Sequence, residues 1–350
     1  MMSRADLVLE GGGVKGIALV GAITVLMERG YQFERVAGTS AGSIVGALVA
    51  AGLSHDELVA AMTSIDYRAF QDGHAWDHLA VGKMFDLITE HGVYHGDYLK
   101  TWLGKELADH DVHTFADLRS PAGDGKTGAA DRAGSADRAG AADEAESSDK
   151  AFRLVVNVSD ITAGCLRQFP WDYGEHYQLP PGEQAVVDAV RSSMSIPFFY
   201  RPVVMRDGEG QEHWLVDGGL LSNFPIGLFD SPPGVEPRWP TFGIKLSTKA
   251  AAVQAAAANH VHGTVSMSLA MLNTLTGFYD RMHIEDPSVV ARTIFVDTGD
   301  IMATDFNLTV QQRDFLYASG RAAAVRFLDG GPGQPAWNWD NYKKTYRGAS

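Results

Sequence analysis

The stretch Arg35-Val36-Ala37-Gly38-Thr39-Ser40-Ala41-Gly42-Ser43 joins a short apolar run to a Gly-x-Ser-x-Gly sequence and to the start of a helical pattern. This succession of strand, turn and helix is the context that a nucleophile elbow requires. The flanking glycines Gly38 and Gly42 remove Cβ atoms that would clash in so sharp a turn, so the hydroxyl of Ser40 is expected at the end of the strand. The competing interpretation is an ordinary serine cap on a helix that packs through glycines.

A second glycine turn lies upstream, in the sequence Gly11-Gly12-Gly13-Val14-Lys15-Gly16. It follows an apolar run at residues 5–9 that predicts a buried strand, and it opens a helical pattern over residues 14–29. Unpaired N–H groups at such a turn suit negative charge, either a phosphate or an oxyanion. The spacing also satisfies Gly-x-Gly-x-x-Gly, but a dinucleotide site asks for an acidic residue at the end of the second strand, where Gly38-Thr39-Ser40 stands.

A base for the serine is offered by Asp217, which follows the apolar run Trp214-Leu215-Val216. An aspartate at a strand end, made accessible by Gly218 and Gly219, suits a carboxylate that takes the serine proton directly, provided that poor solvation raises its basicity. An aspartate in an ordinary hairpin turn is the plainer interpretation. The chain has twelve histidines, and none lies in a convincing catalytic context. A Ser–His–Asp esterase of another family nevertheless stays open as an alternative.

The blocks at residues 11–16, 38–43 and 217–219, in this order, resemble the three motifs of the patatin-like phospholipase family. Shorter stretches at residues 115–118, 157–164 and 192–199 are also similar to it. The resemblance implies an α/β fold, a three-layer sandwich whose central and mostly parallel sheet is flanked by helices. It further implies a lipid acyl hydrolase that cleaves carboxylic esters of phospholipids or related acyl lipids.

The resemblance also implies roles for individual residues. Ser40 would form an acyl-enzyme, with Asp217 acting as base and then as acid. The N–H groups of three glycines, Gly11, Gly12 and Gly13, would hold the oxyanion, and Lys15 would lie near the substrate phosphate. Neither a cofactor nor a metal ion is implied. A lipid-binding scaffold without activity, built on the same fold, is the rival function.

Composition sets the limits for these hypotheses. The chain has 350 residues, of which 45% are apolar and 21% charged, as in an average globular protein. Its formal net charge of −14 disfavours nucleic acid as a partner. Asp6 and Glu10 interrupt the N-terminal segment before the apolar core of a signal peptide can form. We therefore expect a cytoplasmic protein with peripheral membrane contact, secretion without a signal peptide being the alternative; no oligomeric state is indicated.

One catalytic domain is expected over residues 1–330, because no boundary divides the alternating strands and helices. Residues 121–149 interrupt it with a segment that contains nine Ala, five Gly and no aliphatic side chain larger than Ala. Such a segment buries too little apolar surface to offset its ordering entropy, which predicts a disordered surface insertion. Residues 331–350 form a C-terminal tail whose aromatic and basic side chains suit either a bilayer interface or packing on the body.

Overall fold

The computed structural model describes residues 3–70, 92–119, 151–232, 235–247 and 286–348, together with Met267 and Thr274. The strands are β1 (Ser3–Leu9), β2 (Tyr31–Gly38), β3 (Gly92–Tyr94), β4 (Leu154–Asp160), β5 (Cys165–Phe169), β6 (Phe198–Tyr200), β7 (Val203–Arg206), β8 (Glu212–Asp217), β9 (Thr241–Lys245) and β10 (Thr293–Phe295). The helices are α1 (Gly16–Glu28), α2 (Ala41–Ala50), α3 (His55–Ser64), α4 (Asp97–Ala108), α5 (Trp171–Tyr177), α6 (Val186–Ser193), α7 (Pro287–Ala291), α8 (Val310–Asp329) and α9 (Trp339–Tyr346).

The central element is a sheet of eight described strands in the order β10-β9-β1-β2-β4-β8-β7, with β5 also paired to β4. The strands from β10 to β4 run parallel to one another. The strands β8, β7 and β5 are antiparallel to their neighbours. The expected α/β architecture is therefore confirmed, with a sheet that is parallel on one side and antiparallel on the other.

Apolar side chains cover both faces of this sheet. Leu7 and Leu9 of β1 belong to a large core that includes the buried faces of α1 and α2. Val8, between them, packs in a second core with Phe224 and Phe229. Successive side chains of a strand alternate between the two faces, and strands buried on both faces are continuously apolar. This arrangement accounts for the continuous apolar run Leu7-Val8-Leu9.

The C-terminal residues lie against the body of the domain. The ring of Trp337 stacks on Phe327 of α8 at a centroid distance of 5.2 Å. Tyr342 of α9 is buried, and Lys343 forms an ion pair with Glu236 at 2.8 Å. Residues 331–348 thus include a packed helix. The insertion predicted at residues 121–149 lies outside the described residues, and a single catalytic domain ending at residue 330 stays a prediction.

Candidate active site

The register of the sheet explains why Ser40 and Asp217 come together. Gly38, the last residue of β2, pairs with Val156 of β4. Asp217, the last residue of β8, pairs with Val158 of β4. Ser40 lies two residues beyond Gly38, just as Val158 lies two residues beyond Val156. Since the advance per residue along a strand is nearly constant, Ser40 and Asp217 reach the same level at one edge of the sheet.

Ser40 has the strained backbone of a nucleophile elbow. Its φ is 52° and its ψ is −126°, a conformation that a non-glycine residue adopts only when the surrounding structure enforces it. A Cβ atom on Gly42 would lie 2.4 Å from the carbonyl oxygen of Leu9, and one on Gly38 would lie 2.2 Å from that of Gly42. Only glycine fits at these two positions. Helix α2 begins directly after Ser40, so its N-terminus adds positive potential beside the hydroxyl.

The carboxyl group of Asp217 is buried, with 5% of the residue exposed. Burial raises its pKa to about 7, while hydrogen bonds from the Ser40 hydroxyl and the Gly219 N–H oppose the rise. The Gly219 N–H donates to Oδ1 at 2.7 Å. A carboxylate with a pKa near neutrality is well suited to proton transfer at physiological pH.

The hydroxyl of Ser40 has two acceptors. Its Oγ lies 3.4 Å from Sδ of Met194, and it also interacts with the carboxyl group of Asp217. A thioether sulfur is a weak acceptor, whereas a carboxylate oxygen is a strong one. Of the two, Asp217 is therefore the stronger acceptor for the Ser40 hydroxyl.

The segment that follows α6 supports both groups. The Ser193 hydroxyl accepts a hydrogen bond from the Ser40 N–H at 2.9 Å and donates to the carbonyl oxygen of Asn157 at 2.6 Å. The Asp217 N–H donates to the carbonyl oxygen of Ser195 at 2.9 Å. Sequence analysis found this segment only as a Ser-rich stretch before a proline, and it assigned no contact to it.

The glycine turn lies beside the elbow, and the Gly11 N–H already has an acceptor there. The Gly11 N–H donates to the carbonyl oxygen of Asn223 at 3.2 Å, and the Asn223 side-chain amide donates back to the Gly11 oxygen at 3.1 Å. Because its N–H is already used, Gly11 is not a free oxyanion donor. Within the described residues, no acceptor is found for the N–H groups of Gly12 and Gly13, which leaves these two as candidates.

Gly13 needs to be glycine for two reasons. Its φ is +55°, and a Cβ atom there would lie 2.0 Å from the carbonyl oxygen of Ala303. The same oxygen accepts a hydrogen bond from the Val14 N–H at 3.0 Å. The turn is thus held from one side by Ala303 and from the other by Asn223.

Lys15 lies just after the turn and is half-buried. Burial lowers the pKa of its ammonium group below the ordinary value, and the nearby carboxylate of Glu10 partly opposes this. A second lysine, Lys245, also influences Lys15. Lys245 was missed by sequence analysis, because it stands alone at the end of β9 in no recognisable motif. Contact between Lys15 and a substrate stays a prediction.

An apolar pocket begins beside the elbow. Its free volume is about 10 Å³, room for about one water molecule. Its lining comes from the glycine turn, from the first turn of α2, from α3 and the turn after it, and from the segment after α6. The lining residues are Gly13, Val14, Ala41, Ile44, Met62, Ile65, Tyr67, Phe70, Met194, Ile196, Tyr200 and Phe306. Such a lining suits a hydrocarbon chain chemically, and its side chains would have to move apart to admit one.

The buried histidine His213 serves a different part of the molecule. Its Nδ1 lies 2.8 Å from Oδ2 of Asp160, and no described histidine forms a hydrogen bond with Ser40. The histidines at positions 74, 78, 91, 260, 262 and 283 lie outside the described residues. Across the described ranges, no group of three or more His, Cys, Asp or Glu side chains is placed to hold a metal ion.

The chain is similar to several known proteins in sequence and in fold. A family model described as "Patatin-like phospholipase" matches residues 7–230. YqhO, an uncharacterized protein of Bacillus subtilis strain 168, is 32% identical over 324 residues, which cover 92% of this chain and 97% of YqhO. The lysophospholipase nte1 of Aspergillus niger is 54% identical over 44 residues, 13% of this chain and 3% of that protein. The crystal structure of VipD from Legionella pneumophila aligns with a TM-score of 0.47 and 17% identity over 92% of this chain and 66% of VipD.

Proposed function

The chain belongs to the patatin-like phospholipase family, and from that premise we propose that it hydrolyses carboxylic ester bonds of acyl lipids through Ser40 and Asp217. The observation that carries the proposal is the buried carboxyl of Asp217, with a pKa of about 7, beside a serine on a strained elbow. A structural turn aspartate would have no need of such an environment.

In the proposed reaction, Oγ of Ser40 attacks the ester carbonyl and its proton passes to the carboxylate of Asp217. The N–H groups of Gly12 and Gly13 stabilise the negative charge that develops on the carbonyl oxygen. The leaving alcohol then takes the proton from Asp217, and an acyl group stays on Ser40. A water molecule, deprotonated by Asp217, attacks this acyl-enzyme. The fatty acid leaves as Asp217 returns the proton to Oγ of Ser40.

The pocket supports an acyl lipid as the substrate. Its lining is almost entirely apolar, and it begins at Gly13 and Ala41, the residues next to the proposed oxyanion site and nucleophile. An acyl chain bound there would place its ester carbonyl at Ser40. A lipid substrate also implies contact with a membrane at its periphery. None of the helices in the described ranges is long and apolar enough to span a bilayer.

The test is labelling with a fluorophosphonate, whose phosphorus mimics the tetrahedral intermediate, followed by peptide mapping by mass spectrometry. We expect an adduct on Ser40 and release of fatty acid from phosphatidylcholine or lysophosphatidylcholine vesicles. Ser40→Ala abolishes both, while Ser288→Ala, on α7 at the surface, leaves both unchanged.

Vesicle binding without an adduct and without fatty acid would favour the scaffold function instead. Full activity in Asp217→Asn would exclude this aspartate as the base. A scan of the twelve histidines to alanine would then reveal a Ser–His–Asp site.

A further inference from the structure

A buried ion pair lies directly behind the glycine turn. Glu10 precedes Gly11, and Lys245 ends the neighbouring strand β9. The ammonium group of Lys245 pairs with Oε1 of Glu10. The two side chains are 8% and 6% exposed, so both charges have been taken out of water.

The same carboxylate also holds the backbone next to Lys245. Oε2 of Glu10 accepts a hydrogen bond from the Leu246 N–H at 2.5 Å. The Leu246 side chain in turn packs on Gly12, where an added Cβ atom would lie 2.3 Å from its Cδ1. The pair thus joins the end of β9 to the turn whose N–H groups would receive the oxyanion.

A buried ion pair of this kind contributes little to the free energy of unfolding. Burying two charges costs several kcal/mol in desolvation, and apolar residues of similar volume are often as stabilising. Other groups near the turn and the pair are the apolar side chains of Leu246 and Phe224, the carbonyl of Ala303 and the neutral amide of Asn223. A directional contact at this position therefore suggests that the exact placement of the turn matters.

We propose that Glu10 and Lys245 are positioning residues, which fix the glycine turn so that the N–H groups of Gly12 and Gly13 point at the reacting carbonyl oxygen. The inference rests on the proposed function. Neither residue touches the substrate; they act through Leu246 and through the backbone that follows Glu10. Oxyanion donors contribute only when they are held within a few tenths of an ångström of the required geometry.

A third charged group, the ammonium of Lys15, interacts electrostatically with both members of the pair. Removal of Glu10 alone would leave two lysines close together without their carboxylate. The single variant Glu10→Gln is therefore expected to be more damaging than the double variant Glu10→Gln/Lys245→Met, which removes one positive and one negative charge together. This order of effects distinguishes an electrostatically linked pair from two independent residues.

The experiment compares kinetics on a soluble butyrate ester with amide hydrogen exchange at Gly11 and Val14, whose N–H groups are bonded in the ordered turn. In Glu10→Gln/Lys245→Met we expect kcat to fall about 10²-fold, with KM within about threefold. Exchange at Gly11 and Val14 rises about tenfold, and exchange in α2 does not change. Lys245→Arg, which keeps the ion pair, restores most of kcat.

A matched control is the ion pair between Arg292 and Asp230, at 2.5 and 2.7 Å. Arg292 precedes β10 and so lies at the amino ends of the parallel strands, away from the glycine turn. The double variant Asp230→Asn/Arg292→Met is expected to lower the melting temperature and to leave kcat and exchange at Gly11 unchanged.

Wild-type kcat and exchange in Glu10→Gln/Lys245→Met would overturn the proposal. Equal effects of the two double variants on kcat and melting temperature would do the same, since they would indicate a purely structural role. If the wild-type protein hydrolysed no ester, the proposed function would fail, and the exchange rates alone would decide whether the pair holds the turn.

Discussion

Ser40 and Asp217 face each other across β4, the strand that separates β2 from β8 in the sheet. Ser40 follows β2, which runs parallel to β4, whereas Asp217 ends β8, which runs antiparallel to β4. The change of strand direction at β4 therefore lies at the candidate site. It brings two strand ends to the same edge without a helix between them.

The first prediction concerns the pH dependence of catalysis. Because burial raises the pKa of Asp217 to about 7, the base is ionised only above that pH. We expect kcat/KM on a soluble ester to rise with pH through an apparent pKa near 7 and to be about a tenth of its maximum at pH 6. If kcat/KM instead rose through an apparent pKa near 4, the base would be a well-solvated carboxylate. That result would contradict the assignment of buried Asp217 as the base.

The second prediction is that Asp217→Asn loses activity and gains stability. The amide cannot take a proton, so kcat should fall about 10³–10⁴-fold. Folding raises the pKa of the Asp217 carboxyl, so ionisation of this group destabilises the folded protein as the pH rises from about 4 through 7. The amide of the Asn variant does not ionise and has no such effect. Urea unfolding should show Asp217→Asn to be more stable than wild type by roughly 1–4 kcal/mol at pH 8. The difference should vanish near pH 4; a variant less stable at both pH values would refute this.

The third prediction compares two glycines. Gly13→Ala places a Cβ atom against the Ala303 carbonyl at a positive φ, so the turn must move. We expect kcat to fall about 10²–10³-fold, as on loss of an oxyanion donor. Gly104→Ala, in the interior of α4 with nothing within 4 Å, is the control. It should raise stability by about 0.5–1 kcal/mol and leave kcat unchanged.

The fourth prediction tests the pocket. Ile44 lines it one turn after Ser40, and Ile44→Phe narrows it. We expect kcat/KM to fall by about tenfold or more for octanoyl and dodecanoyl esters and to change little for acetate. The acetate ester and fluorophosphonate labelling of Ser40 serve as internal controls. An equal loss for every chain length would place the acyl chain elsewhere.

The fifth prediction concerns stability away from the site. Asp160 is fully buried and accepts hydrogen bonds from the N–H groups of Thr162 and Ala163 and from the hydroxyl of Tyr177. Burial opposes ionisation, but these bonds and His213 lower its pKa. The stabilisation by ionised Asp160 is thus fully present above the ordinary pKa of an aspartate. It is lost as the pH falls through the lowered pKa of Asp160.

Asp160→Asn should accordingly cost about 2–4 kcal/mol at pH 7, measured by urea unfolding, and less in acid. Asp300→Asn, at an exposed position, should have no measurable effect. Equal stability of Asp160→Asn and wild type at pH 7 would contradict this prediction.

The local elements could be predicted from the sequence because their signals are local. The apolar run at residues 5–9, the helical pattern after it and the run before Asp217 correspond to β1, α1 and β8. The turn at Ser40 was predicted because two glycines and a serine occur at the spacing that an elbow requires. The structure places Ser40 there with a positive φ.

The remaining features depend on contacts between distant segments. Nothing near Gly11 indicates that Asn223 occupies its N–H, so three oxyanion donors were expected where two are free among the described residues. Lys245 stands in no motif, and the resemblance of residues 192–199 gives Met194 no role. Only the tertiary fold brings these two residues to the turn and the elbow. The positions of the antiparallel strands β5 and β8 beside β4 could not be predicted for the same reason, since strand order is not a property of any one strand.

The position of β8 has a consequence for the protein during its synthesis. The ribosome releases Ser40 and the glycine turn early, whereas Asp217 arrives with β8 and Lys245 with β9, after residue 200. In the proposed mechanism a nascent or prematurely ended chain therefore carries a nucleophile without its base. Lipid-cleaving activity would therefore appear only when most of the domain has been made.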